Sequence, residues 1–460
     1  MGASAAKSPR DCSAAPDSTV RVVQSRMRAG IAIGLSVLLL LGACAERAPR
    51  SAPASRGVEF SRWTALTSPL DLYSVSGNDA NNWYFPARLE SFDLARPLWT
   101  YQEEGIGSAR VVSGGGMVFF ASVDGRARAL RADDGRVVWE KDYRGERFTC
   151  LHLTPFFLAL GKGGGDRKDP GRVRLLDPRN GNELLSLSTT WDVIDLLHDE
   201  KRLYVMSDPS NVAALDFASG EVVATRPFTR TAVEVVGGGE MLYVLGQDQA
   251  VSAISTADLS LRRLHLSERP LRQLVATDDG LLALEGDGPE PGPRWLVSLR
   301  APEVTIRWRH EFPDYVCIAP ARAGNRVVGA TYYGVAYALR ADDGATLWER
   351  DLEAPSQLVA VFSDRALMWS CFRTESELQR RRFDLSLRRH FRRIPQWLPS
   401  GASLAYAYSL LDVNTGEILH REVVQRPIEP LTIADGVIVF WDSGSGEMVG
   451  FPAKFRSVGR

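Results

Sequence analysis

Histidine and cysteine are scarce in this 460-residue chain, and neither falls into a ligating pattern. The six histidines, His152, His198, His265, His310, His390 and His420, include no His-x-His and no helical His-Glu pair that would preassemble metal ligands. Cys150-Leu151-His152 places two potential ligands on one strand face, since residues i and i+2 point the same way, but two ligands fall short of a site. An excess of one charge sign is also missing: 55 basic residues face 56 acidic ones. That balance excludes a broad basic face for nucleic acid and leaves charged partners to be bound locally. A phosphate loop is absent too. Gly161-Lys162-Gly163-Gly164-Gly165-Asp166 has no Ser or Thr after the lysine and no helical pattern behind it, so it reads as a hairpin tip.

Long apolar runs are lacking, with one exception near the N-terminus. Arg26 and Arg28 precede the uncharged stretch from Ala29 to Ala43, about fifteen residues, where a spanning helix needs roughly 20. A basic n-region, an apolar h-region and small residues before Cys44 make residues 1–43 a signal peptide, whose start is Met27 on the ordinary length of such segments. Leu41-Gly42-Ala43-Cys44 looks like a bacterial lipobox, so Cys44 is expected to carry lipid, with residues 44–57 as a polar, proline-spaced tether. Ala45 and Glu46 lack the aspartate that retains lipoproteins in the inner membrane under the enteric rule, which favours the outer membrane. Cys150, Cys317 and Cys371 read as buried strand residues, with one disulfide plus one thiol as the alternative.

What the chain has in abundance is one hairpin. Ala129-Leu130-Arg131-Ala132-Asp133-Asp134-Gly135-Arg136-Val137-Val138-Trp139 returns as Ala338 to Trp348, and in weaker form around Gly181, Gly220, Asp258, Trp308 and Gly416. Alternating apolar runs about a Gly-centred turn mark antiparallel hairpins, and intervals of about 40 to 45 residues match a four-stranded blade. The expected fold is therefore all-β: a closed β-propeller over residues 97–455. Pro97 to Thr100 is a fourth strand without predecessors, and 431–451 supplies three strands without a fourth. Joining them closes the ring and counts eight blades. The stretch of about 60 residues between Trp348 and Leu411, a repeat interval of about 70, leaves nine units open, because Asp384 to Arg389 repeats the string at Asp258 to Arg263. Residues 58–96 form an N-terminal extension, read either as extra strands or as a plug on the ring.

The motif Ala-Leu-x-Ala-x-x-Gly-x-x-x-Trp resembles the repeat of quinoprotein-type (PQQ-like) propellers. Together with the Leu-Gly-Ala-Cys sequence, and with Trp99-Thr100 and Gly105 to Ser108 leading into the first full repeat, it is similar to the propeller lipoproteins of the outer-membrane β-barrel assembly machinery. The resemblance implies a non-enzymatic scaffold without cofactor, lipid-anchored on the periplasmic face of the outer membrane, whose partners are cell-envelope proteins. The alternatives are a PQQ- or sugar-binding propeller and a quinoprotein dehydrogenase. Such dehydrogenases commonly carry adjacent cysteines against the quinone, and no Cys-Cys occurs here. Trp99, Trp139, Trp308 and Trp348 take the structural repeat position, with Leu185, Ala224 and Leu419 near it in other copies. The irregular segment 372–400 holds Arg380, Arg381, Arg382, Arg388 and Arg389, candidates to contact an anion or a partner, because guanidinium forks suit carboxylates and phosphates.

Overall fold

The computed structural model describes residues 84–457 apart from 103–109, 123–124, 164–170, 190–191, 208–210, 228–231, 268, 287–293, 315, 317–319, 374–403, 427, 435 and 443–444. Every regular element among the described residues is a strand. They form eight sheets, each an antiparallel meander of four strands. Blades 1 to 7 occupy residues 110–142, 148–188, 193–227, 232–266, 271–311, 321–351 and 356–424. Blade 8 takes three strands from residues 428–457 and its fourth, Trp99–Gln102, from the other end of the chain, in the register Trp99↔Gly450 to Gln102↔Glu447.

That exchange closes the ring. The first strand of blade 8, Ile428–Ala434, lies against the first strand of blade 1, Arg110–Gly114. There Ser113 Oγ donates to the Ile433 carbonyl at 2.7 Å. The alternative of nine units does not hold. Arg365–Arg373 pairs directly with Leu404–Asp412, from Arg365↔Asp412 to Arg373↔Leu404, so 374–403 joins two strands of blade 7 rather than adding a blade.

The meander gives the ring two unlike rims. Turns between first and second strands, and between third and fourth, fall on one side, here called the turn rim; its longest connection is 177–182. Connections between second and third strands, and between blades, fall on the other side, the loop rim. The widest gaps between consecutive strands, 163–171, 286–294, 312–320 and 374–403, each separate second from third strands or one blade from the next. On the turn rim, aspartates accept backbone N–H groups two residues on, as Asp134 does from Arg136 and Asp343 from Ala345, which fixes each turn locally.

Part of the N-terminal extension adds strands to blades 7 and 8. Tyr84–Phe85 runs parallel to the first strand of blade 7, Ser356–Phe362. Ala87–Phe92 pairs antiparallel with the end of Glu447–Ser457. Phe85, Leu89 and Phe92 are buried there with Phe362, Tyr408, Phe440 and Phe451. Burying such side chains contributes roughly 1.5–3 kcal/mol each, which holds the segment in place. Cys150 is buried on blade 2 and Cys371 half-buried on blade 7, while Cys317 lies outside the described residues.

Candidate functional site

The repeat tryptophans hold the seams between blades on the turn rim. Each sits on a fourth strand and reaches the next blade's turn: Trp99 Nε1 donates to the Ala132 carbonyl at 2.7 Å, Trp139 to Pro178 at 2.7 Å, Trp308 to Ala341 at 2.7 Å and Trp348 to Val413 at 2.8 Å. The indole lies on the glycine of that turn. A Cβ at Gly135, Gly181 or Gly344 would come within 2.7 Å of ring carbons, and each backbone has φ near +70°. Glycine is required twice over, for the left-handed conformation and for the ring's approach.

The other copies solve the seam differently. Strand pairing puts Leu185, Ala224, Arg263 and His420 at the tryptophan position. The expected Leu419 is one residue off: His420, four residues after Gly416 as Trp348 is after Gly344, takes the position opposite Leu410, and Leu419 is 42% exposed. At the seam of blades 2 and 3, Phe217 packs on Phe156 and Phe157, with centroids 5.1 and 5.3 Å away. At the next seam the turn glycine is replaced by Leu259, at φ 55° and buried, filling space that an indole would take; the Thr256 carbonyl accepts from Arg202 at 2.6 Å. At the seam of blades 4 and 5 the pair is Arg263 and Val304, the latter at φ 52°.

The loop rim over blades 4 to 6 concentrates polar and aromatic groups. Arg269 lies 4.2 Å above the Trp295 ring. Glu285, 1% exposed, is held by Arg309 Nε at 2.7 Å and by Ser267 Oγ at 3.1 Å. Burial of this charge is tolerable only because it is paired. Arg294 donates to the Pro313 carbonyl at 3.0 Å, fixing the connection into blade 6. On that connection Asp314 accepts from Thr331 Oγ1 at 2.9 Å and from the Tyr332 and Tyr333 N–H groups. Burial pushes its carboxyl up to about 6, against those hydrogen bonds and Arg294. The turn so capped presents Tyr332 and Tyr333, with ring centroids 5.4 Å apart and Tyr333 36% exposed. Aromatic rings with one wet end, beside arginine, are what protein interfaces use as anchors.

Sequence reasoning missed this cluster and also a histidine pair. His152 Nε2 and His198 Nδ1 are 2.9 Å apart across the seam of blades 2 and 3, each near the end of a first strand. Their equivalent places in consecutive repeats were the available signal. Among the described residues no three His, Cys, Asp or Glu side chains group around a metal position, and no helix is long and apolar enough to cross a membrane. Cys44 and Arg380, Arg381, Arg382, Arg388 and Arg389 lie outside the described residues.

A protein-family profile described as "Outer membrane protein assembly factor BamB" matches residues 169–288 and 263–374. No curated protein matches the chain in sequence. Among solved structures, BamB from Moraxella catarrhalis is 12% identical with a TM-score of 0.50, covering 78% of this chain and 97% of its own. The computationally designed Ika8 protein is 13% identical at 0.57, covering 78% and 99%. The C-terminal WD40 domain of Sif2 is 11% identical at 0.50, covering 80% and 98%. Such identities speak to the fold, and the profile adds the repeat type: the chain is an eight-bladed propeller of BamB-like, PQQ-type repeats.

Proposed function

We propose that this protein is a non-enzymatic scaffold, anchored by lipid on Cys44 to the periplasmic face of the outer membrane, and an accessory of outer-membrane β-barrel protein assembly. The family profile supports the setting. The observation that carries the docking role is the loop rim of blades 4 to 6, where Arg269, Trp295, Tyr332 and Tyr333 stand on a frame fixed by the buried Glu285 and by Asp314. A rigid frame under exposed aromatic and guanidinium groups lowers the ordering cost of binding. No cofactor is assigned to the site. Arg380, Arg381 and Arg382, outside the described residues, are assigned contact with anionic groups, because guanidinium forks suit carboxylates and phosphates.

Photo-crosslinkers placed at Tyr333 and Arg269 in cells test the reading. Crosslinks to a component of the barrel-assembly machinery are expected there, and none from Arg136 on the opposite rim. A different stable partner at Tyr333, or equal crosslinking from both rims, would overturn it. Cys44→Ala is expected to move the protein from the membrane to the soluble periplasmic fraction.

A further inference from the structure

The seam of blades 4 and 5 has lost both halves of the tryptophan–glycine contact and, unlike the others, has been left open. Arg263 stands where the indole would be and Val304 where the glycine would be. The Ala301 carbonyl, counterpart of the indole acceptors Ala132, Pro178, Ala341 and Val413, accepts no hydrogen bond from any described residue. At the neighbouring seam the same positions are occupied, since Leu259 is buried and the Thr256 carbonyl is taken by Arg202. Here an open cleft of about 290 Å³ remains, lined by Met241, Ser255, Arg262, Arg263, Pro302 and Glu303. Arg262 is drawn toward Asp258 at 3.5 Å, whereas no described residue pairs with the Arg263 guanidinium.

We propose that this cleft receives an indole side chain presented by another polypeptide. The fold itself shows the chemistry: four seams of the same ring hold an indole at this place, with its N–H on the first carbonyl of the turn. At the open seam that carbonyl is Ala301, a flat ring would stack on the Arg263 guanidinium, and Met241 and Pro302 supply apolar walls. A valine in place of leucine at the turn leaves the room. Glu240 and Glu303 at the cleft disfavour an acidic flank, so a neutral or basic segment carrying tryptophan fits best. The cleft is on the turn rim, opposite the surface assigned to docking, and its test does not depend on that assignment.

N-acetyl-tryptophanamide is the probe, followed by the methyl resonance of Met241 in full-length protein. A saturable shift is expected, with none from N-acetyl-leucinamide. Arg263→Ala should weaken binding about two- to fivefold, the worth of an exposed cation–π contact. Val304→Gly should tighten it, by freeing the ring's seat at a backbone position suited to glycine. Arg263→Trp should fill the cleft from within and abolish the shift. No saturable shift in either the native protein or Val304→Gly, an equal response to the leucine amide, or undiminished binding in a folded Arg263→Trp protein would each overturn the proposal. Should Arg263→Trp not fold, the Arg263→Ala and Val304→Gly titrations decide.

Discussion

The two rims of this ring do opposite things with similar residues. On the turn rim, tryptophan and arginine are spent on the seams: four indoles pack on turn glycines, three of them buried and Trp348 half-buried, and Arg307 and Arg322 close on Asp279 between blades 5 and 6. On the loop rim the same residue types face outward, with Arg269 over Trp295 and a tyrosine pair on a capped turn. The difference follows from chain geometry. The turn-rim turns reach the neighbouring blade and interlock with it, whereas the Tyr332–Tyr333 turn and the Arg269 connection, as short as they are, present their side chains away from any seam. Stability should therefore reside on one rim and binding on the other.

The largest effect expected on stability is that of Trp308→Ala. The indole is 7% exposed and bonded to Ala341, so its loss should cost about 3–5 kcal/mol in urea unfolding, with the equivalent change at Trp295 far below that. A cost under about 1 kcal/mol would break the comparison.

Next is a cycle at the seam of blades 3 and 4. Ala224→Trp alone should destabilise by about 1–3 kcal/mol, because Leu259 already fills the space. Adding Leu259→Gly should recover at least about 1 kcal/mol of it, while strict additivity would show that the two positions do not share one seat.

Acid separates the rims by sign. For Asp279 burial raises the carboxyl pKa, but the bonds from Arg307 and Arg322 outweigh it and hold it at about 2, below the usual 3.8. Its contribution is present above pH 4 and lost as pH falls toward 2, so Asp279→Asn should be less stable than the native protein at neutral pH and equal to it near pH 2. For Asp314 the folded value of about 6 lies above 3.8, so its charge opposes folding above pH 6, and this opposition fades as pH falls toward 4. Asp314→Asn should thus be at least as stable as the native protein above pH 6, with the difference shrinking toward pH 4. Unfolding midpoints from pH 2 to 8 check both, and the same sign at both positions would contradict the assignment.

The smallest effect belongs to the arginine-rich connection. Arg373 pairs directly with Leu404, so replacing 374–403 by Asn-Gly should leave a two-residue hairpin and an unfolding midpoint within about 0.5 kcal/mol of native.

The strand order, the closure and the four tryptophan seats were legible because each rests on a local pattern: alternation, a glycine turn and a tryptophan at or before the midpoint of a fourth strand. The seams of blades 3 to 5 were not. Once indole and glycine are lost together, Ala224 with Leu259 and Arg263 with Val304 no longer look like a repeat, although they occupy the same seats. His420 stands four residues after Gly416, as Trp348 does after Gly344, but a histidine there does not look like a seam residue. The loop-rim cluster joins residues from three blades, among them Ser267, Glu285 and Asp314 with Thr331, and no spacing rule predicts such contacts.

The division between rims is tested most directly by recovery of partners from solubilised envelopes with lipidated protein carrying either Tyr332→Ala with Tyr333→Ala or Asp133→Asn with Asp134→Asn. The account predicts that the tyrosine variant loses the barrel-assembly components while its unfolding midpoint stays native, and that the turn-rim variant retains them. Full recovery with the tyrosine variant, or equal loss with both, would contradict it.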